Sequence, residues 1–309
     1  MGPRAARRPR LPDQTLRPDR NMPSGSLAAH ARAVTRAGSF PTFLIIRWLA
    51  DADLADDAFR AYAYFRWVDD MVDGGELSAP DRKAFVARQQ DLLARGLRRA
   101  PVVTTQAEEQ LLADLVRGER TRHPGLRSYL IHMMAVMDFD VQRRGQTIAA
   151  HELATYSRNL SMAVMAALSY FVGHHSVYPS TPDRLLAASG AHVIHMLRDA
   201  AEDVRAGYYN VPREYLEAHR LAPDDLQSPA YAEWVRQRLA LARGCLTRGK
   251  GYVLSCRNLR VRLAGLAYTA RFLYTLRKLE ANVGLRPAAS RIRASRMIQS
   301  PGARLDETR

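Results

Sequence analysis

The chain reads as an all-α protein, and three observations support that. Strand signals are nearly absent, with only Val102, Val103, Thr104 and Thr105 forming a short β-branched run. Long segments rich in Ala, Leu, Arg and Glu fill the rest, and their apolar residues recur at helical spacing. Gly and Pro fall between these segments, where helices stop and start. An apolar fraction of 47% over 309 residues supplies a sizeable core for one large domain or two small ones. No low-complexity linker splits residues 26–285, so that stretch is expected to be one domain of roughly eight to ten helices.

Taken in order, residues 27–36 form a short helix, broken around Gly38, Ser39, Phe40 and Pro41. Helix resumes over 43–49 and again over 57–72, stopping at Gly74 and Gly75, a usual C-terminal signal. Ser78, Ala79, Pro80 and Asp81 open the next helix, which ends near Gly96. Segments 105–120, 125–143 and 151–173 follow, punctuated by Pro101, Pro124 and Gly145. Residues 179–182 separate the last of these from a helix over 183–205. A loop over 207–212 comes next, and helices over 231–254 and 260–283 complete the set.

Composition excludes several classes. Cys245 and Cys256 lie outside any CxxC or metal-ligand spacing and read as reduced cytoplasmic thiols. The longest apolar stretch, residues 162–173, falls short of a membrane span, and no signal-peptide core follows the N-terminus. The net charge of +15 invites a nucleic-acid reading, but Lys83, Lys250 and Lys278 are the only lysines among 46 basic residues. Such an Arg bias fits a GC-rich coding sequence, and no recognition motif accompanies it, so nucleic acid is not an expected partner. Much of the charge sits in residues 1–25, read as a disordered basic tail, and in 286–309, an Arg-rich and partly disordered C-terminal tail. Solvated tails are the first reading, peripheral contact with an anionic membrane the second, and an Arg-rich organellar transit peptide the third.

Two acidic pairs carry the chemistry. Asp69 and Asp73 stand four residues apart, with Asp70 between them; Asp199 and Asp203 repeat the spacing about 130 residues later, directly after Arg198. A spacing of four stacks both carboxylates on one helix face. Like charges there repel, so an inward-facing pair calls for a cation. Spacing alone proves little, because Asp53 and Asp57 share it in a polar segment that reads as a solvated helix start. Neighbours distinguish the other two. Tyr62, Arg66, Asp69 and Asp73 form one stripe, and His192, His195, Asp199 and Asp203 form another, among Leu185, Leu186, Val193, Ile194, Met196 and Leu197. Opposed carboxylates holding Mg²⁺ against a diphosphate, with guanidinium groups on the same phosphates, suit ionisation of an allylic diphosphate. The cation left behind needs a dry pocket with aromatic faces, for which Phe40 and Tyr62 are candidates.

These residues resemble the squalene/phytoene synthase superfamily. Residues 62–74 (YAYFRWVDDMVDG) are similar to its first signature, and 195–203 (HMLRDAAED) to its second. Residues 207–216 (GYYNVPREYL) are similar to the loop that follows, and Gly38, Ser39 and Phe40 to its N-terminal element. Glu152, Leu153 and Tyr156 resemble its Tyr-Cys segment, and Tyr274, Leu276 and Glu280 its last helix; the likeness spans about residues 30–285. It implies an isoprenoid-synthase helical bundle with a central cavity and a cluster of two or three Mg²⁺ ions. Asp69, Asp70, Asp73, His195, Asp199 and Asp203 are the implied metal ligands. The two outer Asp of each pair, with Arg66 and Arg198, form the implied catalytic set. Phe40, Tyr62, Arg66, Arg198, Tyr156, Met165, His192 and Tyr274 are the residues expected against diphosphate and substrate.

The chain departs from the family at three places. His192 and His195 stand where Gln and Asn are usual, and nitrogen donors suit other metals better than Mg²⁺. Residues 161–165 (SMAVM) replace a small-residue stretch, so Met162 and Met165 are expected to shorten the substrate channel. Asn210 replaces the loop tyrosine. The expected function is Mg²⁺-dependent prenyl transfer, first of all head-to-head condensation of two prenyl diphosphates. The alternatives are transfer of a short prenyl group to an aromatic acceptor in specialised metabolism, terpene cyclisation, and a non-catalytic assembly factor. A squalene-type product needs hydride from NADPH, for which the sequence carries no supporting motif.

Overall fold

The computed structural model describes residues 24–282 apart from 76, 118–119, 121 and 175. The two expected tails lie outside the described residues, except that the first helix already begins at Ser24. Eleven α-helices and no strand are found among the described residues. They are α1 (Ser24–Gly38), α2 (Phe40–Leu49), α3 (Ala55–Asp73), α4 (Ala79–Leu97), α5 (Ala107–Leu115) and α6 (Pro124–Arg143). After them come α7 (Ala150–Phe171), α8 (Leu186–Ala206), α9 (Arg213–His219), α10 (Pro229–Ser255) and α11 (Leu259–Asn282). No helix among the described residues is long and apolar enough to cross a membrane.

Local chemistry sets the helix ends. Ser39, Ser78 and Ser228 cap α2, α4 and α10, each side chain accepting from the backbone amide three residues on, with Pro in the first turn. The break expected around residues 38–41 shrinks to Ser39 alone, because this cap restarts the helix at once. Residues 183–205 divide into a 3-10 turn, Pro182–Leu185, and α8. Helix α9 was not expected; it follows Pro212, whose fixed φ favours a helix start. Residues 102–105 form no strand.

Helix α6 packs on α7, α8 on α10, α10 on α11 and α1 on α3. Small residues set the closest of these approaches. A Cβ on Gly249 of α10 would collide with the backbone of Ala187 on α8, and one on Gly190 would come 3.0 Å from the carbonyl oxygen of Ala242. One large core runs from Leu27 to Leu276, and a smaller cluster gathers Met165, Val172, Tyr252, Cys256, Val261 and Ala264. Both cysteines are free thiols.

The Asp53/Asp57 expectation needs correcting at Asp57. That carboxylate is buried, receives Arg60 at 2.8 Å and pairs with Arg120, so it joins the start of α3 to a segment far along the chain. Burial pushes its pKa up, against the pull of both arginines.

Candidate active site

The first stripe lies along α3. Arg66 donates to both oxygens of Asp70, at 3.1 Å from Nε and 2.5 Å from Nη2, and its Nη1 stands 3.8 Å from Asp69. This is a bidentate pair one helical turn long. Tyr62, a turn earlier, lies beneath the α1–α2 junction: a Cβ on Gly38 would come 2.9 Å from its hydroxyl. The stripe therefore meets the Gly38, Ser39 and Phe40 element. Phe40 itself stacks on Phe43 at 6.2 Å and is exposed.

On α8, Arg198 grips Asp199 from Nε and Nη2, both at 2.7 Å, and its Nη2 lies 2.8 Å from Nδ1 of His195. The His195 ring rests against Phe272 of α11 at 4.9 Å. His192, one turn earlier, is buried edge-on to Tyr156 at 5.1 Å, with no partner at Nε2. Burial, helped by nearby His195, Arg143 and Arg238, pushes its pKa down to about 3, so it is neutral at pH 7.

The C-terminal ends of the two stripes converge on one loop. Gly207 ends α8 with φ +87, a left-handed turn that favours glycine, and the Tyr208 amide then donates to the backbone carbonyl of Asp203 at 2.8 Å. The Tyr208 hydroxyl donates to Asp73 at 2.8 Å, and the Asn210 side chain donates to Asp203 at 2.9 Å. The last Asp of each pair is thus held by residues two apart in sequence.

Helix α6 completes the arrangement with residues that the sequence reading left unassigned. Arg143 donates to Asp140 at 2.7 Å and to Asn210 at 2.8 Å, while Tyr156 donates to Asp140 at 3.0 Å. The Arg143 guanidinium lies 4.8 Å from the ring centres of both Tyr156 and Tyr208. Arg144 donates to the carbonyls of Val72 on α3 and Ala206 on α8, at 2.9 and 3.1 Å, and Gly145 bonds Gly207 at 2.7 Å. The end of α6 thereby fastens the ends of α3 and α8 side by side. Burial pushes the Asp140 carboxyl up, with Arg143 opposing and Asp73 reinforcing the rise. Burial also raises the Tyr208 and Tyr156 hydroxyls, Asp73 adding to the first and Asp140 to the second. The signal for this network was an Asp and an Arg at i,i+3 in the last turn before Gly145.

Two expected site residues stand apart from this convergence. Met165 is buried in the smaller apolar cluster, and Tyr274 is exposed on α11 with Lys278 over its ring at 4.5 Å. A cavity of about 420 Å³, lined by Pro212, Tyr215, Trp234 and Arg238 among others, includes none of the paired aspartates. Among the described residues no group of three or more His, Cys, Asp or Glu is gathered as a metal site. The paired aspartates offer carboxylate oxygens, hard donors of the kind Mg²⁺ takes one or two at a time beside phosphate and water, so their chemistry suits this ion. His195 fits less well, because its Nδ1 bond to Arg198 and metal ligation through Nδ1 exclude each other.

Comparison with known proteins bears on the family and the fold. The squalene/phytoene synthase family profile matches residues 36–297. Among solved structures, squalene synthase HpnC from Alicyclobacillus acidocaldarius is similar, at 17% identity and a TM-score of 0.61, over 85% of this chain and 97% of that one. A dehydrosqualene synthase in complex with ligand is similar at 12% identity and a TM-score of 0.58, over 85% and 98%. At such identities the likeness concerns the fold. No curated protein matches the chain. With the profile covering most of the residues and the fold shared, the chain belongs to the squalene/phytoene synthase family.

Proposed function

We propose that the chain is a Mg²⁺-dependent prenyltransferase that ionises an allylic prenyl diphosphate and condenses two such substrates head to head. The observation that supports this reading is the convergence of Asp73 and Asp203 on Tyr208 and Asn210, which brings the last acid of each stripe to one loop. In this reading Asp69, Asp70 and Asp73 on one side and Asp199 and Asp203 on the other would hold Mg²⁺, which would supply positive charge against the diphosphate. The chain's own groups do the rest. Arg66 and Arg198 each carry five N–H donors, more than one aspartate accepts, so both can also hold diphosphate oxygens and stabilise the charge that grows as the C–O bond breaks. Tyr156 and Tyr208 present aromatic faces around a buried cation, Arg143, and the same faces favour a carbocation. Neutral His192 offers a hydrogen-bonding edge without a competing charge.

One observation favours a second reading, transfer of a shorter prenyl group to another acceptor. Met165 is buried with Val172, Tyr252 and Cys256, where a smaller side chain would leave room for a longer prenyl chain. Incubating the protein with Mg²⁺ and C5 to C20 allylic diphosphates, singly and paired, followed by mass spectrometry, separates the two. Coupled hydrocarbon from paired C15 or C20 substrates supports the first reading. Diphosphate release only with shorter donors plus an aromatic acceptor supports the second, and no release with any substrate ends both.

A further inference from the structure

Six of the eleven large apolar side chains exposed among the described residues lie on two helices, α2 and α11. Phe40, Leu44 and Trp48 recur every fourth residue on α2 and are exposed, Trp48 by 70%. Leu259, Leu263 and Tyr274 are exposed on α11, with Ala267 and Ala270 continuing the line between the last two. The two rows meet where Arg260 of α11 donates to the carbonyls of Leu49 and Ala50, at 3.5 and 3.4 Å. Ile45 and Leu49 pack inward on the Val261 and Ala264 cluster, which turns Leu44 and Trp48 outward. Monomer surfaces seldom carry such contiguous apolar rows without a partner.

We propose that this α2–α11 face docks on a lipid bilayer bearing anionic headgroups. Charge selects that occupant. Arg36, Arg47, Arg257, Arg260, Arg271, Arg277 and Lys278 are exposed on or beside the face. Helix α2 has no acid, and the only acid of α11, Glu280, is buried against Arg243. Neighbouring Asp51 and Asp56 are paired with Arg260 and Arg32. A second copy of the chain would set these cations against one another, and the chain's own segments 1–23 and 283–309 are Arg-rich as well. Aromatic rings beside guanidinium and ammonium groups suit the boundary between headgroups and acyl chains; Arg47 lies 5.0 Å from the Trp48 ring. Because α2 starts at Phe40, beside the Tyr62 stripe, the docked face adjoins the site. The docking itself does not depend on the prenyl reading.

Trp48 is a built-in reporter, since Trp67 and Trp234 are buried. The full chain is mixed with vesicles of phosphatidylcholine alone or with phosphatidylglycerol, and sedimentation is read beside tryptophan emission and quenching by brominated lipid. Expected are co-sedimentation with anionic vesicles, a blue shift and quenching of Trp48, and weakening as salt screens the charges. Leu44→Asp with Leu263→Asp should reduce the bound fraction about tenfold; Leu44→Ser with Leu263→Ser, at unchanged helix content, should reduce it in the same direction. Binding that leaves Trp48 emission unchanged would assign the contact to the terminal segments and overturn the proposal. So would equal binding to uncharged vesicles, or self-association without lipid that shields Trp48.

Discussion

Helix α3 faces two acidic regions that are built differently. On one side the buried Tyr64 hydroxyl donates to Gln89, which donates to Glu109. Glu109 is wholly buried and ringed by donors: Arg88 at 2.7 Å, the Thr105 amide at 2.7 Å, the Thr105 hydroxyl at 3.2 Å and the Gln106 amide at 3.3 Å. Burial alone would raise its pKa, yet those donors win and lower it to about 2. On the other side Asp69 and Asp70 keep 32% and 25% of their side-chain surface and share Arg66. A carboxylate enclosed by protein donors fixes architecture; one open to water keeps a side on which a ligand can bind. The acids around α3 are thus sorted by what encloses them, not by charge or spacing; Asp199 on α8, buried under Arg198, lies outside this contrast. Asp57, buried between Arg60 and Arg120, falls in the architectural group despite its matching spacing.

The sharpest way to break this contrast is Asp73→Asn. Diphosphate release should fall about a thousandfold while the thermal midpoint stays near that of the parent; near-parental turnover would remove Asp73 from the site. Glu109→Gln should do the reverse, costing about 3 kcal/mol of stability and leaving turnover of the folded protein unchanged. The pH dependence follows from the lowered pKa. Stability supplied by ionised Glu109 is complete above its ordinary value of 4.5 and is lost as pH falls toward about 2. Acid unfolding of Glu109→Gln should therefore be shallower across that window, as followed by circular dichroism.

Smaller effects come from packing. Gly249→Val should cost about 2 kcal/mol by pushing α10 off α8 at Ala187, and should lower turnover because α8 carries Asp199 and Asp203. Urea titration beside initial rates reads both. Met165→Ala should shift kcat/KM toward longer prenyl chains by about tenfold, and an unchanged preference would show that Met165 does not set chain length.

Much of the fold was legible because helix stops and starts are local events. Ser78, Pro124 and Gly207 marked boundaries through a side-chain cap, a fixed φ and a left-handed turn. The α3 stripe was legible for the same reason, since Tyr62, Arg66, Asp69 and Asp73 share a face by helical geometry alone. Asp140, Arg143, Arg144 and the roles of Tyr208 and Asn210 were not. Arg143 acts through Asn210, and Arg144 through Val72, partners 67 and 72 residues away. No local pattern announces such pairs.

The sequence by itself determined the all-α class, the order of most helices and the two acidic stripes, because backbone hydrogen bonding within a helix depends on near neighbours. Only the tertiary structure decided that the ends of α3 and α8 meet at the Tyr208 loop, that Arg143 fills the ground between them, and that Asp57 and Glu109 serve the framework. Burial and charge pairing act through space, and the chain must close on itself before either has a magnitude.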